Sequence, residues 1–167
     1  MKYRISKYHP LFSKHVDDWT SITDVGKGKY GLTLGEYRQY EDKYIESVLI
    51  LIGDDHEEIL ISGFESTPVW DRERAEKYGL DESVFGAYQR DQNSEVYTEL
   101  YNGKRAFGYG QLPQLLKILL RDEAWFVMTV GDYKIDIGFD LYVHIEAPCD
   151  LTGKRERLPE GIYLEEV

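Results

Sequence analysis

Three short strand-like segments near the C-terminal end constrain this chain most, because in two of them the side chains repeat at a period of two. Tyr133, Ile135 and Ile137 alternate with Lys134 and Asp136, and Leu141, Val143 and Ile145 alternate with Tyr142 and His144. Residues 125–130 form the first of the three. Such alternation gives each strand one core face and one wet face, the mark of antiparallel strands covered on a single side. Gly131-Asp132 fits a two-residue turn with glycine first, and Gly138 marks a reversal or a bulge. The covering layer is helical. Residues 112–121 carry Pro113 in the first turn and bury Leu115, Leu116, Leu119 and Leu120. Residues 33–52 open with Thr33 and Glu36 at capping-box spacing, carry a stripe from Tyr37 to Leu51, and end at Gly53. The sequence therefore predicts an α+β fold, an antiparallel sheet with two to three helices packed on one face.

The remaining segments are less regular. Ile59-Leu60-Ile61, ending near Phe64, reads as a strand, and Thr67-Pro68 opens a polar surface helix that stops at Gly79, anchored by Trp70 and Tyr78. Residues 96–101 are expected to be a strand turning at Asn102-Gly103 and returning over 105–109. An exposed loop is expected over 149–161, with a short strand or tail at 162–164. With 167 residues the chain fits one domain, 1–167, carrying a basic N-terminal arm (1–15) and a poorly specified insertion (65–110).

Lys plus Arg number 20 against 31 Asp plus Glu, a net charge of −11. That balance argues against a free-standing nucleic-acid binder and favours a basic partner. The charge is uneven: residues 36–58 hold eight acids against Arg38 and Lys43, and residues 81–100 hold five against Arg90. One cysteine excludes an intramolecular disulfide and any zinc site needing two thiolates. Lys2, Arg4, Lys7 and Lys14 precede no apolar run, and the longest aliphatic run covers only 48–52. A cytoplasmic domain without membrane contact is the expectation.

Signals for catalysis are weak. Gly26-Lys27-Gly28-Lys29-Tyr30-Gly31 matches the dinucleotide-binding spacing, but no strand of aliphatic residues feeds it, so a loop is the better reading. His9, His15, His56 and His144 form no metal-binding pair on a helix, and Cys149 lies in a loop as an incidental thiol. The one metal alternative is Asp136, Asp140 and His144 meeting across the sheet, as in a small metal-dependent hydrolase. No cofactor and no enzymatic activity are expected.

The chain is 14% aromatic, and several rings lie beside the acidic stretches. Tyr and Trp anchor interfaces while carboxylates steer basic partners. The expected partner-binding residues are Asp54, Asp55, Glu57 and Glu58, with Trp70, Tyr88, Asp91, Glu95 and Tyr97. Asp18-Trp19-Thr20-Ser21-Ile22-Thr23-Asp24-Val25-Gly26, the capped tyrosine-bearing helix, residues 116–121 with Trp125, and Asp136-Ile137-Gly138-Phe139-Asp140-Leu141-Tyr142-Val143 together resemble small bacterial immunity proteins of polymorphic and contact-dependent toxin systems. The resemblance covers the first fifty residues and roughly 112–146. It implies a cytosolic, non-enzymatic inhibitor that binds a cognate toxin domain tightly. A ligand-binding or adaptor domain without a toxin partner is the other alternative.

Overall fold

The computed structural model describes residues 1–8, 21–27, 32–138 and 142–167. Seven strands form one sheet: β1 (Lys2–Ser6), β2 (Glu58–Ser66), β3 (Ala106–Gly108), β4 (Ala124–Val130), β5 (Tyr133–Ile137), β6 (Val143–Glu146) and β7 (Tyr163–Glu166). Their order is β3-β2-β4-β5-β6-β1-β7, and all six neighbouring pairs are antiparallel. The helices are α1 (Leu34–Ile52), α2 (Arg72–Lys77), α3 (Glu82–Gln92), α4 (Glu95–Tyr101) and α5 (Leu112–Leu120). The α+β class matches the expectation, with more helices than the two or three foreseen. No helix among the described residues is long and apolar enough to cross a membrane.

Period-two alternation decides which sheet face is covered. Tyr3, Ile5, Ile59, Ile61, Phe126, Met128, Ile135, Val143 and Ile145 point inward, against Tyr44, Val48 and Leu51 of α1 and the leucines of α5. Each fully buried aliphatic side chain contributes about 1.5–3 kcal/mol. The capping box of α1 is formed: the Thr33 hydroxyl accepts from the Glu36 amide and the Glu36 carboxylate accepts from the Thr33 amide. Gly53, at φ +80°, ends the helix.

A second, smaller core joins Ile22, Val25 and Tyr37 to Ala75, Leu80, Val84, Ala87 and Tyr88. Helix α1 serves both cores, with Tyr37 in the small one and Tyr44 to Ile52 in the large one. Helix α5 is buried on nearly every side, which explains its almost uniformly apolar sequence.

Several expectations are corrected. The supposed basic arm begins as β1, inside the sheet between β6 and β7. Its lysine and arginine lie on the wet face, so they hid a strand of only five residues. Residues 96–101 belong to helix α4: the Ser94 hydroxyl accepts from the Tyr97 amide, and Val96, Tyr97 and Leu100 share the buried side. Gly103, at φ +100°, ends that helix instead of turning a hairpin, and β3 pairs with β2. Helix α2 starts at the Asp71 cap rather than at Pro68. Residues 152–157 form a 3-10 helix behind the buried Leu151, not an open loop.

Candidate functional site

The turn from α1 into β2 carries the densest exposed negative charge. Asp54, Asp55, Glu57 and Glu58 are all exposed, and none forms an ion pair among the described residues. Other surface acids do find partners, as in Lys2–Glu146, Arg72–Glu82 and Lys104–Glu99. Asp132, in the β4–β5 turn at the same end of the sheet, is exposed as well. The C-terminal end of α1 points into this region and adds its own partial negative charge. Lys154 answers part of it, donating to the Leu51 carbonyl at 2.7 Å.

His56 fixes the shape of the turn. Its Nε2 lies 3.1 Å from the Ile52 carbonyl oxygen, and its ring sits 5.5 Å from Tyr109 and 5.8 Å from Tyr133. The Tyr109 hydroxyl in turn donates to the Gly53 carbonyl at 2.5 Å. These contacts tie the reversal to Tyr109, just after β3, and to Tyr133 at the start of β5. Beside it opens a cleft of about 350 Å³ lined by Asp55, His56, Glu57, Glu58, Leu60, Thr129 and Gly131.

That cleft leads onto the outer face of the sheet, which no described helix covers. Cross-strand pairing runs Ala106, Leu60, Thr129, Lys134, Glu146 and Lys2 along one outward row. Asp136, His144, Arg4 and Glu165 form a second. The β5-β6-β1-β7 half carries paired groups: Lys2 pairs with Glu146 at 2.8 Å, Arg4 with Glu165, and His144 Nδ1 lies 3.0 Å from Asp136 Oδ1. The β2–β4 half is different, since Leu60 is 48% exposed and Trp125, Val127 and Thr129 are half-buried beside it.

The remaining expected interface residues do not join this surface. Tyr88 is 1% exposed and its hydroxyl donates to the Arg121 carbonyl at 3.1 Å. Tyr97 is 7% exposed and stacks on Tyr101 at 4.2 Å. Both rings are core, because helical spacing turns them inward, and neither can anchor a docking partner. Trp70 is half-buried against Tyr88, with Arg74 over its other side at 4.1 Å. Glu95 is exposed at the start of α4, away from the α1–β2 turn in the chain.

Asp91 belongs to a buried network that sequence reasoning missed. Arg121, at the C-terminal cap of α5, donates through Nε and Nη2 to both oxygens of Glu41, at 2.8 and 2.7 Å, and through Nη1 to Asp91 at 2.5 Å. Burial alone would depress the guanidinium, and the bonds to Glu41 more than reverse that, so its pKa is raised. Glu123 is 4% exposed, and neither of its carboxyl oxygens has a hydrogen-bond partner among the described residues. Burial first, and then the neighbouring Asp91 carboxylate, push its pKa far above the carboxylate range. Around this network, hydroxyls of Tyr37, Tyr88 and Tyr101 donate to the carbonyls of Leu120, Arg121 and Glu123. The only signal in the sequence was a glutamate on the helical stripe, Glu41, one position after Tyr40.

For the metal alternative, Asp136 and His144 do meet across β5 and β6, in a cleft of about 230 Å³ that Lys2 also lines. Asp140 lies outside the described residues. Among the described residues no group of three or more His, Cys, Asp or Glu side chains is placed to hold a metal ion. Comparison with protein-family models, with curated proteins and with solved structures found no match to this chain.

Proposed function

We propose that this chain is an immunity-type inhibitor, a non-enzymatic domain that binds a basic bacterial toxin domain and blocks it. One observation carries the reading: Asp54, Asp55, Glu57 and Glu58 stand exposed, without cationic partners among the described residues, on a turn braced by His56 and beside a sheet face that no described helix covers. Fixed, unneutralised charge costs stability through self-repulsion, so its concentration at one rigid corner suits a surface meant to meet opposite charge. The segments resembling immunity proteins support the same reading. Carboxylates at the corner steer the toxin inward and occlude the basic groups it uses on its own substrate.

The test is biological. Candidate toxin domains encoded by genes neighbouring this one are expressed with and without this chain. Restored growth together with copurification of the two proteins supports the reading. A toxin that kills equally well in the presence of soluble, folded chain overturns it.

A further inference from the structure

Resting on that reading, we infer that the docking surface is the β2–β4 half of the outer sheet face together with the α1–β2 corner. Its occupant is an extended protein segment in which a basic and an apolar side chain follow one another on the same face, at positions i and i+2. The two halves of the face differ in what they leave unsatisfied. Across β6, β1 and β7 opposite charges are paired, so a charged partner there would have to break Lys2–Glu146 or Arg4–Glu165. Across β2 and β4, Leu60 stands 48% exposed beside Ala106, Ser62, Val127 and Thr129, none of them charged, and Glu57 and Glu58 at its end form no ion pair among the described residues.

Geometry sets the occupant's pattern. Glu58 and Leu60 are two residues apart on one strand, so their side chains leave the same face about 7 Å apart. An extended segment repeats its own side chains at that spacing. One lysine or arginine then enters the cleft between Asp55 and Glu58, and the next residue on that side covers Leu60 and Val127. Charge complementarity selects a basic segment over an acidic one, and the self-paired half of the sheet confines it to one end. A second copy of this chain would bring like charge onto the corner and is disfavoured.

The 15N-labelled full-length chain is titrated with the peptide Ac-Arg-Ser-Leu-Ser-Arg-NH2, with Ac-Glu-Ser-Leu-Ser-Glu-NH2 as the control. Saturable amide shifts are expected at residues 54–62 and 127–131, and not at residues 2–5 or 143–146. Glu57→Lys with Glu58→Lys should weaken binding about tenfold or more, losing its salt dependence. Leu60→Ser should weaken it several-fold while keeping that dependence. All three positions are exposed, so the thermal midpoint stays within the range of ordinary surface changes and reports folding. Absence of saturation, shifts centred on β6 and β1, or equal binding of the acidic peptide would overturn the proposal. Peptide binding without protection from the toxin leaves the surface standing and rejects the immunity reading. Protection that survives in the Glu57→Lys, Glu58→Lys and Leu60→Ser variants does the reverse.

Discussion

Arg121 and Glu41 form a two-pronged ion pair across 80 positions of sequence, with both carboxylate oxygens engaged and both side chains almost wholly buried. The pair ties the middle of α1 to the end of α5, and through Asp91 it also reaches α3 of the small core. Removing Glu41 leaves the buried guanidinium with Nε and Nη2 unbonded and only Asp91 to balance its charge. Glu41→Ala is therefore expected to cost about 3–5 kcal/mol. Urea unfolding should show this as a lower midpoint with an unchanged slope. The double replacement Glu41→Leu with Arg121→Met should cost less than the sum of the two single changes, since neither member of this pair is left alone and only the partly exposed Asp91 loses its partner.

Glu123 gives the network a pH signature. Its folded-state pKa lies above its unfolded value, so the folded chain holds a proton that the unfolded chain releases. The stability this contributes is complete below the ordinary carboxyl range, near pH 4, and is lost progressively as pH rises toward the raised value. Glu123→Gln cannot ionise. Relative to the parent chain, its unfolding free energy should increase steadily between about pH 5 and about pH 9. A difference that stays flat with pH would mean that Glu123 titrates alike in both states.

What could be read from the sequence follows periodicity and local chemistry. The capped helix α1 and strands β4 and β5 were legible because their patterns run long enough to repeat, and a capping box or a glycine turn marks their ends. Strand β1 was not, since Lys2 and Arg4 occupy alternate positions in a five-residue strand and imitate a basic tail. Residues 96–101 fit both a period of two and a helical stripe, and only the stacking of Tyr97 on Tyr101, one helical turn apart, decides between them. For the candidate site, the four carboxylates of the α1–β2 turn stay exposed because turns between buried elements must face water. Tyr97 turned inward onto Tyr101, and Tyr88 and Asp91 turned inward through hydrogen bonds with Arg121, a position too distant in the chain for any local pattern to signal.

Asp122 gives a local test of the fold near this network. It has φ +56°, the left-handed region, at the position after the α5 cap where glycine is the usual residue. The Glu123 amide donates to the Ile118 carbonyl and the Asp122 amide to Leu119, both at 3.0 Å, completing the reversal that carries Arg121 and Glu123 into the interior. Aspartate tolerates this conformation better than branched residues do. Asp122→Val should destabilise the chain by about 1–2 kcal/mol, while Asp122→Gly should be neutral or slightly stabilising. Equal effects of the two changes in thermal unfolding would show that backbone conformation is not what limits this position.

The acidic corner predicts how association with a basic toxin responds to salt. An exposed ion pair contributes at most about 1 kcal/mol at contact, so the four carboxylates act chiefly before contact, by raising the rate of productive encounter. That field is screened over about 10 Å at 0.1 M salt and about 3 Å at 1 M. The association rate should thus fall about tenfold or more between low and high salt, while dissociation changes little. Replacing Asp54, Asp55, Glu57 and Glu58 by their amides should lower the rate at low salt to nearly the high-salt value and flatten the dependence. Those four residues sit outside both cores, so the same variant should unfold within about 0.5 kcal/mol per substitution of the parent. Stopped-flow mixing at several salt concentrations separates the outcomes: a slope that survives all four replacements would place the steering charge elsewhere on the molecule, with the acid-rich stretch around Asp81, Glu82 and Glu95 next to be replaced.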